Sequence, residues 1–371
     1  MTFTRSSLTW LAYGLLAFYA YYQAGLGPIM PFLRDELNLS YTQGGFYPSA
    51  FALGMIGAGL AGATLADNLG RRTVLWGGTA GLVLGMIGLL FGSTMWLTLP
   101  AVFLMGLAGT LVMVIVQAIL SDHHGSLRAT ALTEANVGAS VSATLPPLAV
   151  GALASFGLGW RGGLLLPLLF LVGLVALWGR LPIPAPTAVA DHTQPAPRLP
   201  RSFWLIWFVL VLGVSAEWCV VLWSADYLET VVGFARAEAA LLMALFFSAA
   251  VIGRITGSRL TRTRPSETLL LGAIVVSAVG FVLFWQAPFT AVRLVGLFIS
   301  GLGIANLFPL ALSTAVNIVP EQSNIASARA ALGGGLAIFF APLILGGLAD
   351  QWGLQTAMTA VPLLLAAAFA L

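Results

Sequence analysis

Lysine is missing altogether: all sixteen basic residues are arginine, set against thirteen acids, three histidines and one cysteine in 371 residues. Charged residues make up 8% of the chain, where a soluble domain carries about a quarter. So little charge leaves too little polar surface to cover a globule, which excludes an ordinary soluble enzyme or scaffold. A single cysteine, Cys219, excludes an internal disulfide and a cysteine metal cluster. What fills the space is apolar: 59% of residues are hydrophobic and the mean hydropathy is +0.97. Runs of about 20 apolar residues recur, each long enough to cross a bilayer core. The class is an all-α polytopic membrane protein. The net charge of +3 is no nucleic-acid signature, because the arginines sit between apolar runs, where they set membrane orientation.

Twelve spans are predicted, over 8–33, 41–66, 73–94, 96–121, 127–156, 160–181, 202–229, 236–260, 267–286, 289–317, 324–348 and 354–371. Residues Met1 to Arg5 lead into an apolar run longer than a signal's apolar core, so no cleavable signal is expected. With the N-terminus inside, the inner side collects twelve arginines (Arg5, Arg71, Arg72, Arg128, Arg180, Arg198, Arg201, Arg254, Arg259, Arg262, Arg264 and Arg329). Only Arg34, Arg161 and Arg236 fall in outer loops, which places both termini in the cytoplasm and the chain in the inner (plasma) membrane. Six prolines in PIPAPTAVADHTQPAPRLPR (182–201) favour an extended connector between residues 1–181 and 202–371, six spans on each side.

The two halves repeat. A shift of 195 residues pairs Gly62 with Gly257 and Leu65 with Leu260 on the second and eighth spans, and Phe103, Gly106 and Leu107 with Phe298, Gly301 and Leu302 on the fourth and tenth. On the fifth and eleventh it pairs Ala135/Ala330, Gly138/Gly333, Pro147/Pro342, Leu148/Leu343, Gly151/Gly346, Leu153/Leu348 and Ala154/Ala349. Parallel repeats of this kind build two bundles with a binding site near the membrane midplane, a layout of alternating-access transporters.

The loop after the second span reads GATLADNLGRRTVL (62–75). Its Ala63, Asp67, Gly70, Arg71 and Arg72 resemble the signature between helices two and three of the major facilitator superfamily, with Ala63 where glycine is usual and Asn68 where a basic residue often follows the acid. A second copy, GSRLTRTR (257–264), has Arg262 in the acid's place. The resemblance implies twelve transmembrane helices in two pseudo-symmetric six-helix bundles. It also implies a cytoplasmic latch built from Asp67, Gly70, Arg71 and Arg72. Asp67 and Arg71, four apart, would meet across one helical turn. Within the superfamily, GLGPIMPFLRDELNLSYTQGG (25–45) and the Gly213, Glu217, Trp223, Tyr227 pattern resemble the fucose-permease-like sugar symporters.

Charges inside the spans are costly, about 2.5–3.5 kcal/mol at the bilayer centre on insertion scales, and so point to function. Glu217, at mid-depth of the seventh span, is the candidate proton carrier; the bland reading is a permanently protonated acid bonded to a neighbouring helix. Glu134 on the fifth span is the second candidate, with Asn136 on another face. The shift of 195 sets Arg329 opposite Glu134, so that an inner-gate pair competes with solute contact as the reading. Asp226 and Arg293 lie nearer the outer side, as an outer gate or as ordinary interfacial charges. His123 and His124 read as solvated loop residues, and no metal site is expected.

Tyr19, Tyr22 and Gln23 on the first span, Gln117 on the fourth, Trp218 on the seventh and Asn306 on the tenth are cavity candidates, since the resemblance implies a cavity lined by helices one, four, seven and ten. Flat rings with one donor suit sugars or aromatic solutes. Helix four (99–120) holds no charge, and Pro146-Pro147 replaces the glycine–proline pattern that the resembled family's drug exporters carry on helix five; both features favour a symporter over a drug antiporter. An uncoupled facilitator is the further alternative. No nucleophile-and-base arrangement for an enzyme is present. The expected partners are a small-molecule substrate and the bilayer, not nucleic acid; the expected state is a monomer without a cofactor, with the proton as coupling ion.

Overall fold

Lipid offers no partner to backbone N–H and C=O groups, so apolar runs of this length must satisfy those groups internally as helices. The computed structural model describes residues 3–184 and 199–371, and among them every regular element is helical. The first half contains α1 (Ser7–Leu37), α2 (Tyr41–Leu69), α3 (Arg71–Phe91), α4 (Met95–His124), α5 (Arg128–Ser142), α6 (Leu145–Ser155) and α7 (Trp160–Trp178). The second contains α8 (Arg201–Tyr227), α9 (Arg236–Leu260), α10 (Ser266–Gln286), α11 (Thr290–Ile318), α12 (Ser323–Trp352), α13 (Leu354–Ala357) and α14 (Ala360–Ala370). Of the connector expected over 182–201, residues 185–198, Arg198 included, lie outside the described residues, as do Met1 and Thr2.

Nine helical stretches among the described residues are long and apolar enough to cross a membrane, one of them the 61-residue Met95–Ser155, in which α4 is followed by α5 and α6. With α1 and the shorter apolar stretch Leu354–Ala370, they supply the twelve crossings. The fifth crossing, read from sequence as one helix, is broken between α5 and α6. Pro146 and Pro147 sit at the start of α6, and two adjacent residues without an N–H open the helical ladder. Its counterpart α12 has only Pro342 and runs unbroken.

By their contacts the described residues form two compact units, one within 1–26 and 50–192 and the other within 27–49 and 193–371. In the first, α3 packs closely on α4; in the second, α10 packs closely on α11. The register of 195 residues reappears in both packings. A Cβ on Gly106 would meet the Phe51 backbone carbonyl, and one on Gly301 would meet that of Phe246. A Cβ on Gly85 would meet Met105, and one on Gly280 would meet Ser300. Each pair is displaced by the same 195 positions, so the sequence repeat is a repeat of helix packing. Small residues let membrane helices approach, because dispersion contacts rather than the hydrophobic effect hold them together. Gly106→Val should therefore lower the unfolding temperature in detergent by the equivalent of about 1–3 kcal/mol or more. Gly59→Val, where a Cβ meets nothing within 4 Å, should not.

Candidate functional site

Glu217 lies sixteen residues into α8, roughly 24 Å along the helix axis. Its neighbours Val214, Ser215, Ala216, Trp218, Cys219 and Val220 are buried, whereas Glu217 itself is half-buried. One turn earlier on the same face, Gly213 packs on Leu307 of α11. The charge of Arg254, on α9, acts on the Glu217 carboxylate. Sequence reading missed Arg254, which was counted as an inner-loop residue. The signal lay in its place: α9 runs on to Leu260, so Arg254 is six residues short of that end and within the span.

The C-terminal ends of α1 and α8 meet in a second charge cluster. Arg34 reaches Asp226 at 2.5 Å, with side chains 15% and 2% exposed, and its guanidinium lies 3.5 Å from the ring centroid of Tyr41. Trp223 stands edge-on to Tyr41 and donates its indole N–H to the Pro342 carbonyl at 3.0 Å. A second arginine, Arg236, bridges Asp35 and Glu229 at 2.7 and 2.8 Å. Asp226 and Arg293, open in sequence to either an outer gate or separate interfacial charges, do not pair: Arg293 donates to the Tyr227 hydroxyl at 2.8 Å and to the Trp285 carbonyl at 3.2 Å. Asp226 and Tyr227 are adjacent on a helix and so point about 100° apart, which gives each its own cation.

Asp350, at the end of α12, caps α2. Its carboxylate accepts the Tyr41 and Thr42 backbone N–H groups at 2.8 Å each and the Thr42 hydroxyl at 2.6 Å. An anion at a helix N-terminus meets unpaired donors and the positive end of the helix dipole. Asp350→Ala should cost about 0.5–2 kcal/mol in thermal stability, with Asp350→Asn retaining part of it.

At the other membrane end, Glu134 accepts from Nε and Nη2 of Arg5 at 2.8 and 2.7 Å and from the Tyr13 hydroxyl at 3.2 Å. Arg5 and Glu134 belong to one unit; in the other, Arg329 is exposed and its carbonyl accepts the Trp207 indole N–H. His123 is exposed and His124 half-buried, and they bond Ser6 at 3.0 Å and Thr9 at 2.9 Å. In the signature loop, Gly70 has a φ of 81° and ends α2, so the helical turn that would join Asp67 to Arg71 is not there. Arg71 pairs with Asp122 at 2.7 Å, Arg72 donates to the Leu181 and Gly179 carbonyls, and Asp67 is exposed.

The polar cavity candidates divide. Tyr19 and Tyr22 are fully buried, bonded to the Thr110 hydroxyl at 3.3 Å and the Leu164 carbonyl at 2.9 Å, so their rings fasten α1 to α4 and α7 instead of lining a cavity. Trp218 is buried as well. Asn306 donates to the Gly253 and Leu302 carbonyls, with its amide set against Gly257, and thus joins α11 to α9. Asn136 is exposed and bonds within its own helix, to the Leu132 carbonyl. Gln23, beside the Met55 sulfur, and Gln117 are half-buried.

Two six-crossing halves related by a packing repeat, with acids and arginines inside the spans, define a polytopic helical transport protein rather than an enzyme. The family model for the Major Facilitator Superfamily matches residues 10–322 and 227–371, and the chain belongs to that superfamily. It is 26% identical over 365 residues to an uncharacterised transporter of this type from Yersinia pestis, covering 93% of this chain and 91% of that one. It is 27% identical over 307 residues to the multidrug resistance protein MdtL of Shigella flexneri, covering 80% and 78%. Its fold matches the crystal structure of the nucleoside transporter NupG with a TM-score of 0.78 at 15% identity, covering 98% of both chains. The protein is a multi-pass membrane transporter; it sits in a lipid bilayer and binds a small-molecule substrate.

Proposed function

We propose that the chain is a proton-coupled secondary transporter, moving a small polar solute such as a sugar across the inner membrane by alternating access. In this reading it acts as a monomer with both termini cytoplasmic, needs no cofactor beyond the proton, and uses residues 1–181 and 202–371 as its two moving halves. The observation that carries it is Glu217, a half-buried carboxyl at mid-depth of α8 within the field of Arg254. An ionised Glu217 attracts Arg254; a protonated one does not. Proton uptake therefore changes the charge that a bound solute meets and the force holding α8 to α9. Half-buried Gln23 and Gln117 are the polar side chains proposed to share in solute contact.

The clusters at the two membrane ends are proposed as gates. Arg34–Asp226 and Asp350–Thr42 fasten residues 27–49 to α8 and α12 on the outer side, and release of these contacts is the proposed outward-opening step. The inner set is Arg71–Asp122 with Gly70 and Arg72, and Arg5–Glu134.

A second reading, proton-driven efflux, is favoured by the likeness to MdtL. It uses the same carboxyl and reverses the direction of net solute flow. Proteoliposomes with an imposed pH gradient test both: accumulation with the proton gradient supports symport, and extrusion against it supports antiport.

A further inference from the structure

Beyond solute transport, we propose that a cleft between the start of α3 and the end of α7 binds the phosphodiester headgroup of an anionic phospholipid. The cleft holds about 700 Å³ and is lined by Arg72, Trp76, Val175, Leu177, Gly179 and Arg180, together with Ala176. Three features point to a phosphate.

The first is uncompensated charge. Arg72 spends hydrogen bonds only on two main-chain carbonyls, those of Leu181 and Gly179, and Arg180 has no acidic partner among the described residues. Two arginines therefore line one cleft with no carboxylate between them among the described residues. Arginine's planar fork suits phosphate oxygens better than any other side chain does.

The second is an unused donor. The Trp76 indole N–H is shielded from solvent and has no acceptor among the described residues. A buried donor left unmade is costly, and a phosphate oxygen in the cleft would satisfy it.

The third is the wall, which separates a lipid from a free anion. Val175 and Leu177 are exposed, and Val172 and Leu169 continue that apolar surface down α7. Headgroup-level arginines above a strip of exposed aliphatic side chains match a diacyl lipid in both parts, whereas a soluble phosphate uses only the upper one. On the proposed orientation this is the inner leaflet, although the binding chemistry does not depend on which leaflet it is.

The test uses the whole protein purified in a neutral detergent. Its unfolding temperature is followed on titration with phosphatidylglycerol, cardiolipin, phosphatidylcholine or inorganic phosphate, and retained lipid is read by native mass spectrometry. The two anionic lipids should raise the unfolding temperature in a saturable way, and phosphatidylcholine should not. Arg180→Gln, at an exposed residue, and Trp76→Phe, which keeps an aromatic ring and removes the N–H, should each weaken the apparent affinity by about tenfold. Arg128→Gln, a basic residue of the same membrane end outside the cleft, should leave it unchanged. Equal stabilisation of wild type and both cleft variants would overturn the site. Saturation by inorganic phosphate at matching concentration would overturn the lipid as its occupant. Loss of solute transport with lipid binding intact would count against the transport reading alone, so the two proposals fail separately.

Discussion

Glu217→Gln is expected to abolish proton-driven solute accumulation while leaving the protein folded. A pH difference of one unit stores about 1.4 kcal/mol per proton, enough for roughly tenfold accumulation at one proton per solute. Wild-type proteoliposomes should approach that ratio and lose it when the gradient is collapsed. The glutamine variant keeps the shape and the polar end of the side chain but cannot exchange a proton. Its internal and external solute concentrations should become equal, with solute exchange at equal pH largely preserved. Glu217 sits half-buried on α8, so the substitution removes no packing, and the unfolding temperature should change little. Equal accumulation by variant and wild type would remove Glu217 from coupling. Arg254→Gln separates the roles further: if Arg254 responds to the charge on Glu217, its loss should shift the pH dependence of transport instead of erasing the coupling.

The second large effect is expected at the outer end. Asp226→Ala leaves Arg34 largely buried without its anion, and breaking a buried pair from one side costs about 3–5 kcal/mol. The loss should appear as a lower unfolding temperature and as access from outside. Ser224, fully buried two residues before Asp226, is a suitable reporter. In a Cys219→Ser background, Ser224→Cys should resist a membrane-impermeant thiol reagent and become reactive once Asp226→Ala is added. The exchanged pair, Arg34→Asp with Asp226→Arg, should recover part of the protection, because Tyr41 and Trp223 border the position that the cation occupies. Labelling that does not differ between the two backgrounds would show that other contacts hold this end. Asp350 with Thr42, and the Ser49 hydroxyl on the Phe339 carbonyl, are the next to examine.

Several of these residues were visible in the chain before any coordinates. An acid in the middle of an apolar run is conspicuous because hydrocarbon penalises it, and Glu217 needed no more than that. Gly70 was visible as well, through the resemblance of the signature loop, whereas its positive φ belongs to the structure. Their partners were not. Sequence places Asp226 and Arg293 near one membrane end, as a gate or as interfacial charges; the structure gives Asp226 the partner Arg34, 192 positions away. For Glu134 the repeat offers only Arg329, and nothing in the period points to Arg5, the partner it has within its own unit. Tyr22 and Glu217 share a repeat register, yet the tyrosine turns inward to a carbonyl of α7 while the acid remains accessible.

What the sequence determined by itself is whatever depends on the cost of placing single residues in lipid: the number of crossings, the helical class, the half-chain repeat and the rare charges within the spans. Each follows from local composition and period, because a backbone in hydrocarbon has few alternatives to the helix. What only the tertiary structure decided is which charge meets which, which tyrosines are fastening and which polar groups stay open, and where two adjacent prolines divide one crossing. Those outcomes depend on which faces of neighbouring helices abut, and glycines such as Gly106 and Gly301 set that closeness to within a methyl group. A one-dimensional period fixes the face of a helix, but the residue that waits opposite that face comes from another part of the chain.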